Sequence, residues 1–277
     1  MYLSRKMVVN TILKINEFKT RLEILYDDFD IDVNENTGRR NALLSAIQEK
    51  VLSDELSLVY ENVENDGAPG KPDIVIGEID TELECKLTSG SGSKSRSYSL
   101  QTDYATIQNK EKLDYLYIVT NKDMTAYSVL YFNGLTADDF CIPSETARGK
   151  SRMSKKVAFK KATPLVGSFV NLNQGYIDTY KQRLEEARQS NETKINEYCY
   201  DFLSYVNNCK IERFVSNVNK ANDSYNTKAR RLNEKITLWE SKDDSYSIKF
   251  ESIKEIKKQI NKETNKEETS GRTHWWD

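Results

Sequence analysis

The sequence predicts an α/β core, residues 1–170, followed by a helical subdomain, residues 171–277. Short apolar runs of strand length lie between residues 74 and 132, and stretches with helical apolar spacing lie before and between them, which indicates the α/β core. The long charged stretch after residue 173 repeats apolar residues at helical spacing, which indicates the helical subdomain. A chain of 277 residues can bury a substantial core, as one elaborated domain or as two closely packed ones.

Two amphipathic helices are predicted before the strands. Residues 7–26 carry one apolar stripe, which consists of Ile12, Ile15, Phe18, Leu22 and Leu25. Residues 41–56 carry a second stripe, which consists of Leu43, Leu44, Ile47, Val51 and Leu52. The acidic stretch between the two helices lacks the ligand pattern of an EF-hand, so we expect a solvated loop there.

The central feature of the core is a predicted hairpin in residues 70–86, G-K-P-D-I-V-I-G-E-I-D-T-E-L-E-C-K. Two apolar runs, residues 74–76 and 83–87, flank the turn sequence G-E-I-D. A turn centred in that sequence places Asp73, at the start of the first strand, opposite Glu84, near the end of the second. The hairpin is therefore expected to bring two carboxylates together.

One face of the second strand has a chemical interpretation. Because side chains alternate along a strand, Glu82, Glu84 and Lys86 share one face and the apolar side chains share the other. The carboxylates of Asp73 and Glu84 repel each other unless a hard cation lies between them, and Mg²⁺ accepts such oxygen ligands while keeping several waters. Lys86 is placed to orient or deprotonate a metal-bound water, or to neutralise charge on a phosphate under attack. The predicted chemistry is phosphodiester hydrolysis.

The alternative interpretation is a solvated strand face without chemistry. The pattern Glu-x-Lys occurs five times, beginning at Glu17, Glu84, Glu192, Glu240 and Glu255. Only the occurrence at Glu84 lies in a strand-like run; the others lie in stretches that are predicted to be helical and exposed. It also follows Pro-Asp by the length of a hairpin and leads into a basic Gly/Ser-rich loop, which favours the metal site.

The stretch after the hairpin completes the α/β order. The loop T-S-G-S-G-S-K-S-R-S is followed by a helix predicted at about residues 100–112. Two strands, Y-L-Y-I-V-T and A-Y-S-V-L-Y-F, are predicted on either side of a turn at residues 121–123. Hairpin, helix and strand in this order indicate an α/β core.

A family resemblance enters at these residues. The sequence P-D, ten intervening residues and E-C-K, ending at Lys86, resembles the signature of the PD-(D/E)XK nucleases. The resemblance covers residues 41–133, and the size and layout of the chain look most like a type II restriction endonuclease. It implies a restriction-endonuclease-like core with a mixed central sheet flanked by helices.

The resemblance also implies roles for individual residues. Asp73 and Glu84 would bind Mg²⁺, and the carbonyl of Cys85 would add a ligand. Lys86 would position the attacking water. Family members often add an acidic residue from the preceding helix, and Glu49 is the candidate for that role.

Contacts to double-stranded DNA are predicted from local charge. The formal net charge of −2 argues against a wholly basic binder, so a nucleic-acid surface has to be local. Residues 144–161 carry seven cations and one acidic residue, and the loop after the hairpin adds two cations beside the site. The alternative for both stretches is an ordinary solvated loop. The candidate DNA-binding residues are Lys94, Arg96, Arg148, Lys150, Arg152, Lys155 and Lys156.

Cysteine and histidine usage excludes several competing classes. The four cysteines are scattered without a C-x-x-C pair, which favours reduced thiols over a zinc ribbon or a disulfide framework. The single histidine, His274, lies in the sequence T-H-W-W-D and is a poor candidate for a histidine-dependent nuclease or hydrolase site. No apolar stretch reaches membrane-spanning length and no signal-peptide core is present, so we expect a cytoplasmic protein without membrane contact.

Three functions remain open from the sequence. The first is a type II restriction endonuclease that cuts double-stranded DNA at a specific short sequence with Mg²⁺, and that has a cognate DNA methyltransferase in the same system. The second is a repair or junction-resolving nuclease with the same metal site, and the third is a non-catalytic helical DNA-binding protein. A double-strand break requires two strands of opposite polarity to be cut, so we expect a homodimer, with the helical subdomain supplying part of the contact.

Overall fold

The computed structural model describes residues 1–66, 71–90, 98–144, 149–204, 211–242 and 246–271, with side chains as far as residue 262. The chain divides into two compact units. The first comprises Met1–Phe169 and Ile248–Asp277, and the second comprises Val170–Ser247. The division into domains at residues 170 and 171, expected from the sequence, stays a prediction. The two compact units are divided differently at the end of the chain, because Ile248–Asp277 belongs with the first unit.

The described residues form eleven strands and seven helices, and most of the strands belong to the first unit, which is α/β. The strands in chain order are β1 (Val63–Glu64), β2 (Ile74–Ile76), β3 (Thr81–Ser89), β4 (Gln101–Asp103), β5 (Leu113–Thr120), β6 (Ala126–Leu135), β7 (Lys150–Arg152), β8 (Thr163–Val166), β9 (Ser168–Asn171), β10 (Tyr246–Lys249) and β11 (Glu251–Ser252). The helices are α1 (Arg5–Asp27), α2 (Thr37–Ser57), α3 (Tyr104–Gln108), α4 (Lys155–Lys161), α5 (Leu172–Ser204), α6 (Ile211–Glu240) and α7 (Ile253–Gly271). Two short 3-10 segments are Gly77–Ile79 and Ala137–Asp139.

A mixed seven-stranded sheet forms the centre of this unit. Its order is β1-β2-β3-β5-β6-β11, and β8 also pairs with β6. The central pair, β3 and β5, is parallel, and the flanking pairs are antiparallel. A parallel pair needs a crossover connection, and the segment with β4 and α3 supplies it. The expected mixed sheet flanked by helices is confirmed.

The first two helices form as predicted from their apolar spacing, although Phe18, Leu25 and Leu43 of the predicted stripes are exposed. The side chain of Ser4 caps α1 by accepting a hydrogen bond from the amide of Met7, and Asn36 caps α2 in the same way. The inner faces of both helices pack on one side of the sheet, against Leu83 and Cys85 of β3. Apolar burial therefore explains both the position of these helices and the direction in which β3 turns its apolar side chains.

The other side of the sheet has a separate core of aromatic and aliphatic residues. Tyr115 and Tyr117 of β5 are fully or almost fully buried there and stack on each other with ring centroids 5.8 Å apart. They share this core with residues from α3, β6, α4 and β10. Both faces of β5 are covered, which accounts for its continuous apolar sequence.

Two segments differ from the sequence-based expectation. The helix expected at residues 100–112 is a strand, β4, followed by the single-turn helix α3. The basic stretch at residues 144–161, for which the sequence predicts neither a strand nor a helix, contains the strand β7 and the capped helix α4. β4 and β7 pair with each other as a two-stranded antiparallel sheet, a non-local contact that the spacing of apolar residues does not reveal.

The second unit consists mainly of two long helices. Tyr176 stacks on Trp239 at 4.3 Å between ring centroids, and Phe202 stacks on Phe214 at 4.8 Å. The first contact joins the start of α5 to the end of α6, and the second joins the end of α5 to the start of α6, so the two helices are antiparallel. The helical character expected after residue 173 is confirmed for this unit.

The apolar stripes of the helical stretch are used differently from the prediction. Helical spacing predicts core-facing positions for Leu203, Ile211 and Val215, but all three side chains are exposed. In α7, by contrast, Ile256 is fully buried and packs in the core of the α/β unit, with Ile253 beside it. Among the described residues, every helix is too short or too polar to serve as a membrane span.

Candidate functional site

The register of the hairpin places the two predicted carboxylates together. Ile74 of β2 pairs with Leu83 of β3 in antiparallel register. Continuing that register by one residue sets Asp73 directly opposite Glu84, as the sequence predicts. The turn between the strands runs through Asp80 in a left-handed conformation, with φ of 47°.

Three charged side chains meet at the end of this hairpin. The Oδ2 atom of Asp73 accepts a hydrogen bond from the backbone amide of Cys85 at 2.7 Å. The Nζ atom of Lys86 lies 2.5 Å from Oε1 of Glu84 and 4.0 Å from Oδ2 of Asp73. The side chain of Glu84 is only 8% exposed, that of Asp73 18% and that of Lys86 27%. One ammonium therefore stands between two largely enclosed carboxylates.

The electrostatics of this cluster favour a further positive charge. Burial raises the pKa of Asp73, and Lys86 and the amide of Cys85 offset only part of the rise. Burial also raises the pKa of Glu84; Lys86 acts against the rise and Asp73 adds to it. Burial by itself lowers the pKa of Lys86, but Glu84 and Asp73 outweigh it, so the pKa of this amine lies above its usual value. Lys86 thus holds its proton at neutral pH, yet its single charge does not compensate both carboxylates.

Glu49, on helix α2, interacts electrostatically with the same three charged residues. Burial raises the pKa of Glu49 to about 7, with Asp73 and Glu84 adding to the rise and Lys86 acting against it. The structure therefore brings the candidate third carboxyl close enough to sense all three charged residues of the hairpin. Near neutral pH this carboxyl is present in both protonation states.

One oxygen of Glu84 lacks a partner. Its Oε2 atom is buried and makes no hydrogen bond to any described residue, while Oε1 is held by Lys86. A buried acceptor without a partner costs about 1–3 kcal/mol, and more when it is charged. A hard cation beside Asp73 removes that cost, so the donor chemistry of the site fits Mg²⁺.

The number of protein ligands also suits Mg²⁺. Within the described parts of the chain, no three side chains of His, Cys, Asp or Glu are arranged to hold a metal ion together. Mg²⁺ is commonly bound through one or two carboxylates and keeps several waters, whereas zinc sites need three or four protein ligands. A pair of carboxylates such as Asp73 and Glu84 is therefore compatible with Mg²⁺.

The thiol of Cys85 is not part of the site. Cys85 is 2% exposed and its side chain packs in the core between β3 and the N-terminal helices. Burial raises the pKa of this thiol, and the carboxylates of Asp73 and Glu49 raise it further, so the thiol stays protonated. The ligand role implied by the family resemblance belongs to the backbone carbonyl and stays a prediction.

The predicted DNA-binding residues fall into two groups. Lys150 and Arg152 are exposed on β7, and Lys155 and Lys156 are exposed at the start of α4. Lys161, at the end of the same basic run, is instead held by an ion pair of 2.6 Å with Asp139. The three remaining candidates, Lys94, Arg96 and Arg148, lie outside the described residues.

The sequence analysis missed one carboxylate near the site. Burial and Asp73 raise the pKa of Glu84 against the opposing effect of Lys86, and Asp103 adds a smaller rise. The sequence placed Asp103 inside a helix, whereas it ends strand β4. Burial alternates over residues 100–103, where Leu100 and Thr102 are buried and their neighbours are not, but the strand is too short for its sequence to show this alternation.

No protein-family model, curated protein or solved structure matches this chain. What the site can do follows from its own chemistry. It presents two enclosed carboxylates, one of them with an unpartnered oxygen, beside an ammonium that keeps its proton. Such a site can bind a hard cation and, next to it, an anionic group.

Proposed function

We propose that this protein is a Mg²⁺-dependent nuclease that hydrolyses double-stranded DNA at a specific short sequence, as type II restriction endonucleases do. The observation that carries the proposal is the unpartnered, buried Oε2 of Glu84 beside Asp73 and the ammonium of Lys86. The exposed cations of β7 and α4 supply the counterpart for a polyanionic substrate. The α/β unit would be a restriction-endonuclease-like core.

Each charged residue has a distinct task in this proposal. Asp73 and Glu84 hold the cation through carboxylate oxygens. When bound, Mg²⁺ supplies a Lewis acid for a phosphate oxygen and lowers the pKa of a coordinated water. Because Lys86 keeps its proton, it acts as a cation that orients the attacking water or stabilises charge on the phosphate, and not as the base.

Glu49 is suited to the proton transfer. Its pKa of about 7, which burial and the nearby carboxylate of Asp73 raise, leaves a large fraction ionised at neutral pH. A general base is most effective when its pKa lies near the working pH. Glu49 would therefore accept the proton of the attacking water, directly or through a second water.

A homodimer is part of the proposal, because one hydrolytic site cuts one strand. Large apolar side chains are exposed where α5 and α6 approach their connection, including Tyr200 at 73%, Leu203 at 70% and Ile211 at 66%. Such residues are suited to a contact between copies of the chain. Sedimentation with a short cognate duplex tests this: two chains per duplex are expected, and one chain per duplex with nicked plasmid accumulating first would contradict the dimer.

Digestion of a defined plasmid with the purified protein and Mg²⁺ tests the function. Discrete bands are expected, and none should form in EDTA. Cleavage confined to branched DNA would favour a junction-resolving nuclease with the same metal site. Intact plasmid under all metal conditions would contradict the nuclease, and a cognate methyltransferase that blocks the bands would identify a restriction system.

A further inference from the structure

The two-stranded sheet of β4 and β7 forms a small ribbon with two distinct faces. Gln101 pairs with Arg152, Thr102 with Ser151 and Asp103 with Lys150. Thr102 is 2% exposed and Ser151 is 1% exposed, so the middle pair points inward. The outer face carries the two cross-strand pairs that remain, which consist of Gln101, Arg152, Asp103 and Lys150.

The ribbon is hydrogen-bonded to the strand next to the candidate site. The hydroxyls of Thr102 and Tyr115 lie 2.9 Å apart, and the hydroxyl of Tyr117 donates to the carbonyl of Gln101 at 2.9 Å. In the parallel pairing of β3 and β5, Tyr115 is the register partner of Glu84 and Tyr117 that of Lys86. The ribbon therefore lies on the face of the sheet that carries the charged side chains of β3.

The outer face of the ribbon keeps its charges available. Lys110 is paired with Glu82, and Lys161 is paired with Asp139. In contrast, Lys150 and Arg152 take part in no ion pair with a described residue, although Asp103 stands directly across from Lys150. An opposite-charge pair across two strands is stabilising, so the lack of one in the described part of the chain leaves both cations available to an external partner.

The shape and the chemistry of the ribbon match the edges of base pairs. The major groove of B-DNA admits a two-stranded β-ribbon. There, Arg and Lys donate to the acceptors of guanine, Gln pairs with adenine, and Asp accepts from the amino group of cytosine. The outer face presents all of these side-chain types on one element, and Asp103 lies within electrostatic range of Glu84.

From this geometry we infer that the β4–β7 ribbon enters the major groove and reads base edges, with Gln101 and Arg152 as specificity-determining residues. The inference rests on the proposed function and names the part of the protein that selects the sequence. Lys155 and Lys156, on the helix that follows β7, contact phosphates and set the position of the ribbon without reading bases.

Selection from a pool of random DNA duplexes tests the inference without depending on cleavage. The full chain with Glu84→Gln in Mg²⁺ captures duplexes, and sequencing gives the enriched motif. We expect a defined motif, and we expect Arg152→Ala or Gln101→Ala in the same background to lose preference at one or two positions of it. Affinity for the original motif should fall about 10-fold to 100-fold, while affinity for unrelated DNA changes about 2-fold.

Lys156→Ala is the matched control from the same basic run. It should weaken binding to motif and unrelated DNA alike, with an unchanged motif and a salt slope reduced by about one. If Arg152→Ala and Gln101→Ala behave like this control, or if no motif is enriched, the inference is overturned. A motif that depends on the ribbon, together with a wild-type protein that never cuts, would sustain the inference and refute the proposed nuclease.

Discussion

The pattern Glu-x-Lys has opposite outcomes in α1 and in β3. In the helix, Glu17 forms ion pairs with Lys14 and Arg21, and Lys19 forms one with Glu23. The two residues of the pattern therefore do not pair with each other. In the strand, Glu84 and Lys86 are paired at 2.5 Å. Residues two apart lie on different sides of a helix but on the same face of a strand. Secondary structure alone thus decides whether this pattern makes a pair.

The surroundings of the two glutamates differ as much as their partners. The hydrogen bond from Lys14, followed by the charges of Lys14 and Arg21, lowers the pKa of Glu17. Burial raises the pKa of Glu84, and the ammonium of Lys86 does not fully reverse it. At Glu17 the neighbouring cations outweigh the effect of burial on the pKa, whereas at Glu84 they do not. The comparison separates a structural ion pair from a site that can bind a cation.

The largest effect is expected from neutralising the carboxylates of the hairpin. Glu84→Gln or Asp73→Asn should lower the rate of plasmid cleavage at least about 1000-fold, because the cation loses one of two protein ligands. Glu17→Gln, the matched change in α1, should cut within about 2-fold of wild type. Single-turnover rates in Mg²⁺ give the comparison, and cleavage within a few fold of wild type in either hairpin variant would refute the assignment.

A smaller loss of rate is expected from the lysines. Lys86→Ala should slow cleavage about 100-fold or more while the thermal shift caused by Mg²⁺ persists, since the two carboxylates remain. Lys19→Ala should leave cleavage intact and lower stability slightly, because Lys19 supports Glu23 from a largely buried position. Loss of the Mg²⁺ shift in Lys86→Ala, with unchanged folding, would show that Lys86 organises the metal site and not the reaction.

Protein stability should respond to pH with opposite signs in the two regions. The pKa of Glu49 is raised from 4.5 to about 7, mainly by burial and by Asp73, so the folded state binds more protons between those values. The free energy of unfolding therefore falls as the pH rises through that window. Glu49→Gln should raise the free energy of unfolding at pH 8 in EDTA by roughly 1–2 kcal/mol after allowing for partial exposure, and with it the melting temperature, with no gain near pH 4.5.

Glu17 provides the opposite case in the same measurement. Its pKa is lowered, chiefly by the hydrogen bond from Lys14, so its contribution to stability is present above pH 4.5 and is lost as the pH falls through the folded-state pKa. Glu17→Gln should therefore lower the melting temperature slightly at pH 8 and have no effect at low pH. The same sign for both variants at pH 8 would contradict the distinction between the two regions.

Local patterns predicted the hairpin, because its strands and its turn are adjacent in sequence. The apolar runs fixed which faces of β2 and β3 are packed, and the turn fixed the register that joins Asp73 to Glu84. The enclosure of Glu84 was not predictable in this way. It depends on Tyr115 and Tyr117, which reach β3 only after a crossover connection.

The ribbon of β4 and β7 was missed for the same physical reason. Each strand is three residues long and finds its partner far away in sequence, so neither carries enough alternation to be recognised alone. Helical spacing predicts that Leu203 faces a core, but this side chain is exposed. The spacing marks an apolar face of a helix and does not reveal whether another element packs against that face. Sequence periodicity indicates elements, but contacts between distant segments decide burial and hence pKa.

The most direct test of the metal site is the position of a bound divalent ion. Crystals of the wild-type chain and of Glu84→Gln, soaked in Mn²⁺ and measured at the manganese absorption edge, give that position without reference to activity. We expect an anomalous peak about 2.2 Å from one carboxylate oxygen each of Asp73 and Glu84 in the wild-type chain, and no peak there in the variant. An ordered hairpin without a peak in the wild-type chain would contradict the account.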